Sequence, residues 1–333
     1  MVNPETDQPV RFGLVGAGAI AQAYVTAFQQ TDRATLVAVA DSNLDAARAM
    51  AETQSCAAFA SADEMATEMD LDAALVCTPP ATHPEICQQL FKHGIHVLCE
   101  KPLAIDSKSA EEMIAGAKAA DVLFTMASKF RYVEDVTKAK SLLASGAIGE
   151  PVLFDNVFSG RVDMSKRWNS NPLISGGGVL IDNGTHSLDI ARYLLGELVE
   201  VQAMEGARIQ DLDVEDTAKV FLRSKSGVMG SVDLSWSVGK ELPYFIALYG
   251  SAGLLLVGWK ESKYRRAGDA EWTVFGKGYD KFAAFRNQIE NFSGAIRGTE
   301  QLLVTPEDAL ASVRVIEAVY RSLADRQWEP VEA

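Results

Sequence analysis

Four short stretches of this 333-residue chain bring together residue types that can hold a ligand or move a proton. The first is Gly16-Ala17-Gly18-Ala19-Ile20-Ala21, a G-x-G-x-x-A run between an apolar stretch and an amphipathic one. A turn of this kind presents backbone N–H groups at a helix N-terminus, where the helix dipole favours a pyrophosphate. Gly16 would allow the tight turn, Gly18 the approach of backbone to phosphate, and Ala21 the close seating of helix on strand. Gly16, Gly18, Ala19 and Ile20 are thus expected to bind the phosphates of a dinucleotide. The spacing alone would equally suit a structural turn. Asp41 sharpens it, closing the next apolar run twenty residues past Ala21, where a ribose-binding carboxylate belongs. A carboxylate there accepts from the adenosine 2′-OH and repels a 2′-phosphate. Ser42 and Asn43, which follow, offer no cation, so NAD is expected over NADP.

The second stretch, Cys77-Thr78-Pro79-Pro80-Ala81-Thr82-His83, follows the fourth strand-like run. Ligands of open α/β sheets bind beyond the carboxyl ends of the strands, and two prolines make a stiff wall for a ribose or nicotinamide. Thr78, Pro79, Pro80 and His83 are therefore cofactor candidates. A plain strand-to-helix turn, with Thr82 as N-cap and Pro84 early in the helix, suits the same residues. The third stretch, Cys99-Glu100-Lys101-Pro102-Leu103, ends the fifth strand and would aim an ammonium into the same cleft, which adds Glu100 and Lys101. A solvent-facing charge pair is the other reading. In the fourth, Ser175-Gly176-Gly177-Gly178 opens a helix on which Asp182 and His186 stand at i and i+4, sharing one face. The glycines suggest that backbone approaches a ligand closely. The Asp/His pair is either half a metal site or a helix salt bridge. No further His or Cys at ligand spacing completes a site, so no metal is expected. His93 and His96, flanking Gly94, read as structural.

These residues need elements to carry them. Six short apolar runs, Val10–Val15, Ala34–Ala40, Cys56–Phe59, Asp72–Cys77, Ile95–Cys99 and Val122–Ala127, alternate with helix-like segments and do not themselves alternate in polarity. That is the texture of strands buried on both faces, and it predicts a doubly wound parallel sheet. Ala19–Gln30 carries an apolar stripe at Ile20, Tyr24, Ala27 and Phe28. Asp106 or Ser107 would cap a helix over Lys108–Ala120. Beyond Ser128 the texture changes. A helix over Val133–Ser145 ends at Gly146. Longer strands then run consecutively over Val152–Ser159, Val199–Ile209, Asp216–Ser224, Val228–Val238, Tyr244–Tyr249 and Leu254–Trp259, with Gly250-Ser251-Ala252-Gly253 as a hairpin turn. A helix opens at Thr305-Pro306. Consecutive strands imply a predominantly antiparallel sheet in a second, α+β domain, giving domains over 1–128 and 129–333.

Composition bounds the rest. Apolar residues make up 48% and charged residues 23%, so a sizeable core forms and disorder is excluded. The net charge of −14, with no Lys/Arg run longer than two, argues against nucleic acid and an anionic membrane surface as partners. Cys56, Cys77, Cys87 and Cys99 form no C-x-x-C pair, three of them lie in apolar surroundings, and the polar start Met1–Val10 does not resemble a secretory signal. A cytoplasmic protein is expected.

The four motifs, in this order, resemble the glucose–fructose oxidoreductase/inositol dehydrogenase (Gfo/Idh/MocA) family. The resemblance extends to Lys129-Phe130-Arg131-Tyr132, Gly146-Ala147-Ile148-Gly149-Glu150, Tyr249-Gly250-Ser251-Ala252-Gly253 and the helix over Thr305–Ala324, covering nearly the whole chain. The Glu-Lys-Pro motif followed eighty-one residues after its lysine by D-x-x-x-H is the specific part. The resemblance implies a Rossmann domain joined to an open-sheet domain, an active site between them, a cis Pro102, and a homodimer or homotetramer formed through the C-terminal sheet. It implies catalytic roles for Lys101, Asp182 and His186, acting on a ring carbinol of a sugar or cyclitol. An imidazole, ordinarily near pKa 6.5, suits a general base at neutral pH. Lys101 would then stabilise the developing alkoxide, and Asp182 would orient the histidine or bind a neighbouring hydroxyl. Arg131, Arg161 and Trp168 are expected beside the substrate, Trp168 stacking on a sugar face; a surface loop with one packed Trp is the plainer alternative. Two other functions suit the fold: hydrolysis of glycosidic bonds through a transient oxidation by bound NAD, and ligand sensing without chemistry. The joint presence of Lys, Asp and His favours an enzyme over a sensor.

Overall fold

The computed structural model describes residues 8–332; the reading of the first seven residues lies outside them. Two compact units emerge, one of residues up to Lys129 together with Lys281–Leu310, the other of Phe130–Asp280 with residues from Ala311 onward.

In the first unit the apolar runs become β1 (Val10–Val15), β2 (Ala34–Ala40), β3 (Ala57–Phe59), β4 (Ala73–Val76), β5 (His96–Glu100) and β6 (Phe124–Ala127). They form one six-stranded sheet in the order β3-β2-β1-β4-β5-β6, every neighbouring pair parallel. This is the doubly wound arrangement expected, with its switch point between β1 and β4. The crossovers are α1 (Ala19–Phe28), α2 (Leu44–Gln54), α3 (Ala62–Glu68), α4 (His83–Lys92) and α5 (Ser107–Ala119). Local chemistry fixes their starts. Asn43 accepts from Ala46 N–H, Ser61 from Glu64 N–H and Asp106 from Ser109 N–H. Thr82, expected to cap α4, makes no side-chain cap; its hydroxyl turns back to Thr78 and the Pro79 carbonyl. The core gathers Phe12, Leu14, Tyr24, Phe28, Leu75 and Leu98 with three residues from much later in the chain, Phe285, Ile289 and Phe292.

The second unit begins with α6 (Glu134–Ala144), after which Gly146 at φ +70° provides the left-handed turn expected there. Then come β7 (Pro151–Ser159), the short α7 (Pro172–Ser175), α8 (Val179–Leu195), β8 (Leu198–Glu205), β9 (Thr217–Ser224), β10 (Met229–Ser235), β11 (Tyr244–Gly250), β12 (Gly253–Gly258), β13 (Ser262–Arg266) and β14 (Thr273–Gly276). The helix carrying Phe285 is α9 (Lys281–Ile296); α10 (Pro306–Asp325) and the two-residue β15 (Glu329–Pro330) close the chain. The nine strands of this unit form a single sheet, ordered β14-β13-β12-β11-β7-β10-β9-β8-β15. All its pairs are antiparallel except β7 with β10. α8 lies directly on it, since a Cβ on Gly184 would come within 3.2 Å of Leu234 on β10. β13, β14, β15 and α9 have no counterpart in the sequence reading. The strands among them are short and mostly polar, and α9 buries its apolar face against residues far away in sequence.

Candidate active site

In the first unit the functional side chains stand where strands end. Gly16, after β1, has φ +97°, and a Cβ there would lie 2.9 Å from the Cys77 carbonyl carbon, so only glycine fits. Gly18 differs: its backbone is extended and a Cβ would meet nothing within 4 Å. Gly18 caps α1 without any side-chain hydrogen bond, and the first turn holds no acidic residue. An uncapped helix start beside open space, with no acidic residue in its first turn, fits the pyrophosphate of a dinucleotide. Asp41 follows β2. Its Oδ2 accepts from Ala17 N–H at 2.7 Å and its Oδ1 from Asn43 N–H at 2.8 Å, so the carboxylate is held still by backbone. Each oxygen keeps a second lone pair for a ribose hydroxyl.

Thr78 and Pro79, after β4, are half-buried. His83, expected at the cofactor surface, is instead fully buried. Its Nδ1 lies 3.1 Å from the carbonyls of Pro102 and Leu103, and its Nε2 lies 2.8 Å from that of Thr78. The ring therefore links the Thr78 turn to the Lys101 turn, and burial pushes its pKa below the ordinary 6.5. Glu100, also expected to touch cofactor, is only 7% exposed: Oε1 accepts from the Tyr24 hydroxyl at 2.7 Å and Oε2 from Lys101 N–H at 3.0 Å. Lys101 itself is half-buried, and the Lys101–Pro102 peptide is cis.

In the second unit α8 carries Asp182, His186 and Asp189 along one face. Asp189 and Arg131 are buried together as a bidentate pair, with Arg131 Nε 2.9 Å from Oδ2 and Nη2 2.6 Å from Oδ1; Ser312 adds a third bond. Arg131, expected at the substrate, is thus a correction. A buried guanidinium needs a paired carboxylate, and this pair pins α8 one turn past His186. Next to Arg131, Phe130 lies edge-on to the His186 ring at 4.9 Å, within an aromatic group that includes Phe158, Phe245 and Tyr279.

The glycine run before α8 is a second correction. A Cβ on Gly177 would overlap the Tyr320 hydroxyl, and one on Gly178 the Glu215 carbonyl. What approaches closely there is the protein's own chain. Glu215 Oε1 accepts from Gly178 N–H and Leu180 N–H, each at 3.0 Å, and from the Tyr320 hydroxyl at 2.8 Å. The Glu215 carbonyl takes Val179 N–H. A buried carboxylate therefore caps the helix that carries Asp182 and His186, and burial raises its pKa. No local sequence signal marks Glu215 or Tyr320 for this task.

Arg161 lies on a groove of about 510 Å³ in the second unit, lined also by Asp163, Gln210, Trp236 and Ser237. Trp168 is 42% exposed on a short turn, Trp168–Ser170, and does not line that groove. Among the described residues no three His, Cys, Asp or Glu side chains gather to hold a metal ion, and no helix is long and apolar enough to cross a membrane.

Comparison with known proteins adds the following. Residues 10–128 match the family model described as oxidoreductase family, NAD-binding Rossmann fold, and residues 136–256 match that of the GFO/IDH/MocA C-terminal domain. Myo-inositol 2-dehydrogenase of Thermotoga maritima is 30% identical over 254 residues, 73% of this chain and 74% of that protein. Inositol 2-dehydrogenase of Rhizobium meliloti is 27% identical over 96% of this chain and 98% of that one. The solved structure of levoglucosan dehydrogenase in complex with NADH superposes with a TM-score of 0.90 over 98% of this chain and 100% of the other; at 22% identity, this is a likeness of fold.

Proposed function

This chain belongs to the Gfo/Idh/MocA family of oxidoreductases, and we propose that it transfers a hydride between a ring carbinol of a sugar or cyclitol and a nicotinamide. The observation that carries the reading is α8, which places His186 one turn from Asp182 on a helix locked at its start by Glu215 and further along by Arg131. The other three histidines serve structure: His83 faces three carbonyls, His93 pairs with Asp63, and His96 accepts from Leu123 N–H.

NAD, when bound, supplies the carbon that takes or gives the hydride. The remaining work falls to the chain. Gly16, Gly18, Ala19 and Ile20 seat the pyrophosphate, Asp41 takes the adenosine ribose, and Thr78, Pro79 and Pro80 form the wall beside the nicotinamide half. His83 and Glu100 support that surface from below. In oxidation a ring nitrogen of His186 accepts the hydroxyl proton of the substrate. The Lys101 ammonium donates to the same oxygen, and Asp182 orients the histidine or binds a neighbouring hydroxyl. Arg161 in its groove and the exposed Trp168 serve the rest of the sugar ring. Residues 1–128 form the cofactor domain and 129–333 the substrate domain, apart from Lys281–Leu310, which pack with the first unit. The outer sheet face, with Leu153, Met204, Met229 and Val274 exposed, pairs two or four copies. The free thiols Cys77, Cys87 and Cys99, all buried, suit a cytoplasmic setting.

The test is absorbance of reduced nicotinamide with NAD⁺ or NADP⁺ against cyclitols, aldoses, uronates and deoxysugars. Lys101→Ala and His186→Ala should each lower turnover on the best substrate by about 10²–10⁴ while NAD binding survives. Unchanged turnover in either variant removes that residue from the chemistry.

A further inference from the structure

A buried series of hydrogen bonds ends at Lys101 and draws on three elements of the first unit. Gln288 Nε2 of α9 donates to the Tyr24 oxygen of α1 at 2.9 Å, Tyr24 donates to Glu100 Oε1 at 2.7 Å, and Glu100 Oε2 accepts Lys101 N–H at 3.0 Å. Tyr24 and Gln288 are wholly buried. The ends fix the direction. A carboxylate only accepts, and Tyr24 has a single proton to give it, so Gln288 must offer its amide N–H. That orientation leaves Gln288 Oε1 buried with no donor. Turning the amide over would bring a second acceptor to the Tyr24 proton and compete with Glu100 for it.

The groups acting on Glu100 come from every side: the ammoniums of Lys101 and Lys129, the thiols of Cys77 and Cys99, and the Tyr24 phenol. Burial pushes the carboxyl up from 4.5, while Lys101, Tyr24 and Lys129 draw it back. Burial also pushes the Tyr24 hydroxyl well above the ordinary phenol range, so it stays a donor.

We propose that Tyr24 and Gln288 are positioning residues for the reaction: together they hold Glu100 as a carboxylate in one place, and Glu100 holds the turn that carries Lys101. The catalytic part rests on Lys101 being the donor. The device also couples α1, which starts at the dinucleotide turn, to the lysine.

The experiment follows the carboxyl carbon of Glu100 by NMR in protein labelled at glutamate Cδ, with Glu100→Gln identifying the resonance. Tyr24→Phe should raise the pH at which Glu100 takes up its proton by about one unit, and Gln288→Leu should raise it less. Turnover in Tyr24→Phe should fall between about tenfold and 10²-fold, with NAD affinity, read by direct titration, changed less than about twofold. Added to Glu100→Gln, Tyr24→Phe should cost no further turnover. An unmoved Glu100 resonance in both variants overturns the proposal, and so does an additive double variant or a parallel loss of NAD affinity. Should Tyr24→Phe fail to fold, Gln288→Leu decides. The NMR readout needs no substrate. An active Lys101→Ala variant would therefore remove the lysine's catalytic role without touching this test.

Discussion

α1 and α8 both start on glycine-rich turns, and neither has a side-chain cap from its own N-cap residue, Gly18 or Gly178. The two turns nevertheless do opposite things. At α1 the space past Gly18 is open, and the occupant we propose for it is an outside anion. At α8 Glu215 fills the same position, reaching back from 37 residues downstream to satisfy Gly178. In each case glycine admits something close to backbone. The difference lies in whether that partner is a ligand or the rest of the chain, and the partner's distance in sequence decides how visible it is.

Substitution should separate the two turns. The largest effect is expected from Gly178→Ala. The new methyl would overlap the Glu215 carbonyl, so backbone must move, and chemical denaturation should show a loss of about 3 kcal/mol or more. A variant as stable as the parent would mean that the α8 turn is not closed by Glu215. Gly18→Ala should do the reverse: stability unchanged or raised by up to about 1 kcal/mol, since its backbone suits any residue, with NAD affinity lowered on the order of tenfold by calorimetry. Equal affinity would break the contrast from the other side.

The smallest effect concerns pH. Glu215 has a raised folded pKa, so between 4.5 and that raised value the folded chain holds a proton the unfolded chain has released. The stability this provides is complete below 4.5 and fades as pH rises through the folded value. Glu215→Gln keeps an acceptor for Gly178 and Leu180 but cannot titrate. The parent's advantage over it should shrink as unfolding is followed upward from pH 4. A constant difference would show that the cap carries no buried charge.

Legibility in the sequence follows the same division. β1 and β2 have the bounds read from the sequence, because strands buried on both faces are marked by their own residues. The turn at Gly16–Gly18, the strand end at Asp41, the Glu-Lys-Pro turn and the helix carrying Asp182 and His186 are legible in the same way as elements, each being a local pattern. Arg131 was misread because a cation in a loop looks available until its partner is known, and Asp189 stands 58 residues away. His83 looked like part of the cofactor wall because it shares a turn with Thr78, whereas burial turns its ring to the Pro102 and Leu103 carbonyls. Tyr320, 105 residues beyond Glu215, could not be paired with it by spacing. What escaped reading is what long-range packing supplies.

The parallel pair of β7 and β10 bears on how the chain is made. A sheet of successive hairpins can zip as it emerges, but this one cannot. β8, β9 and β10 form one meander and β11 to β14 another, while β7, synthesised before both, joins them. Asp155 of β7 meets Ser231 of β10 some 76 residues later, and β11 later still. Closing loops of that length slows folding, because their entropy is lost before any contact compensates for it. During synthesis Pro151–Ser159 must wait with both edges unpaired, its Val, Leu and Phe side chains uncovered until β10 and β11 arrive.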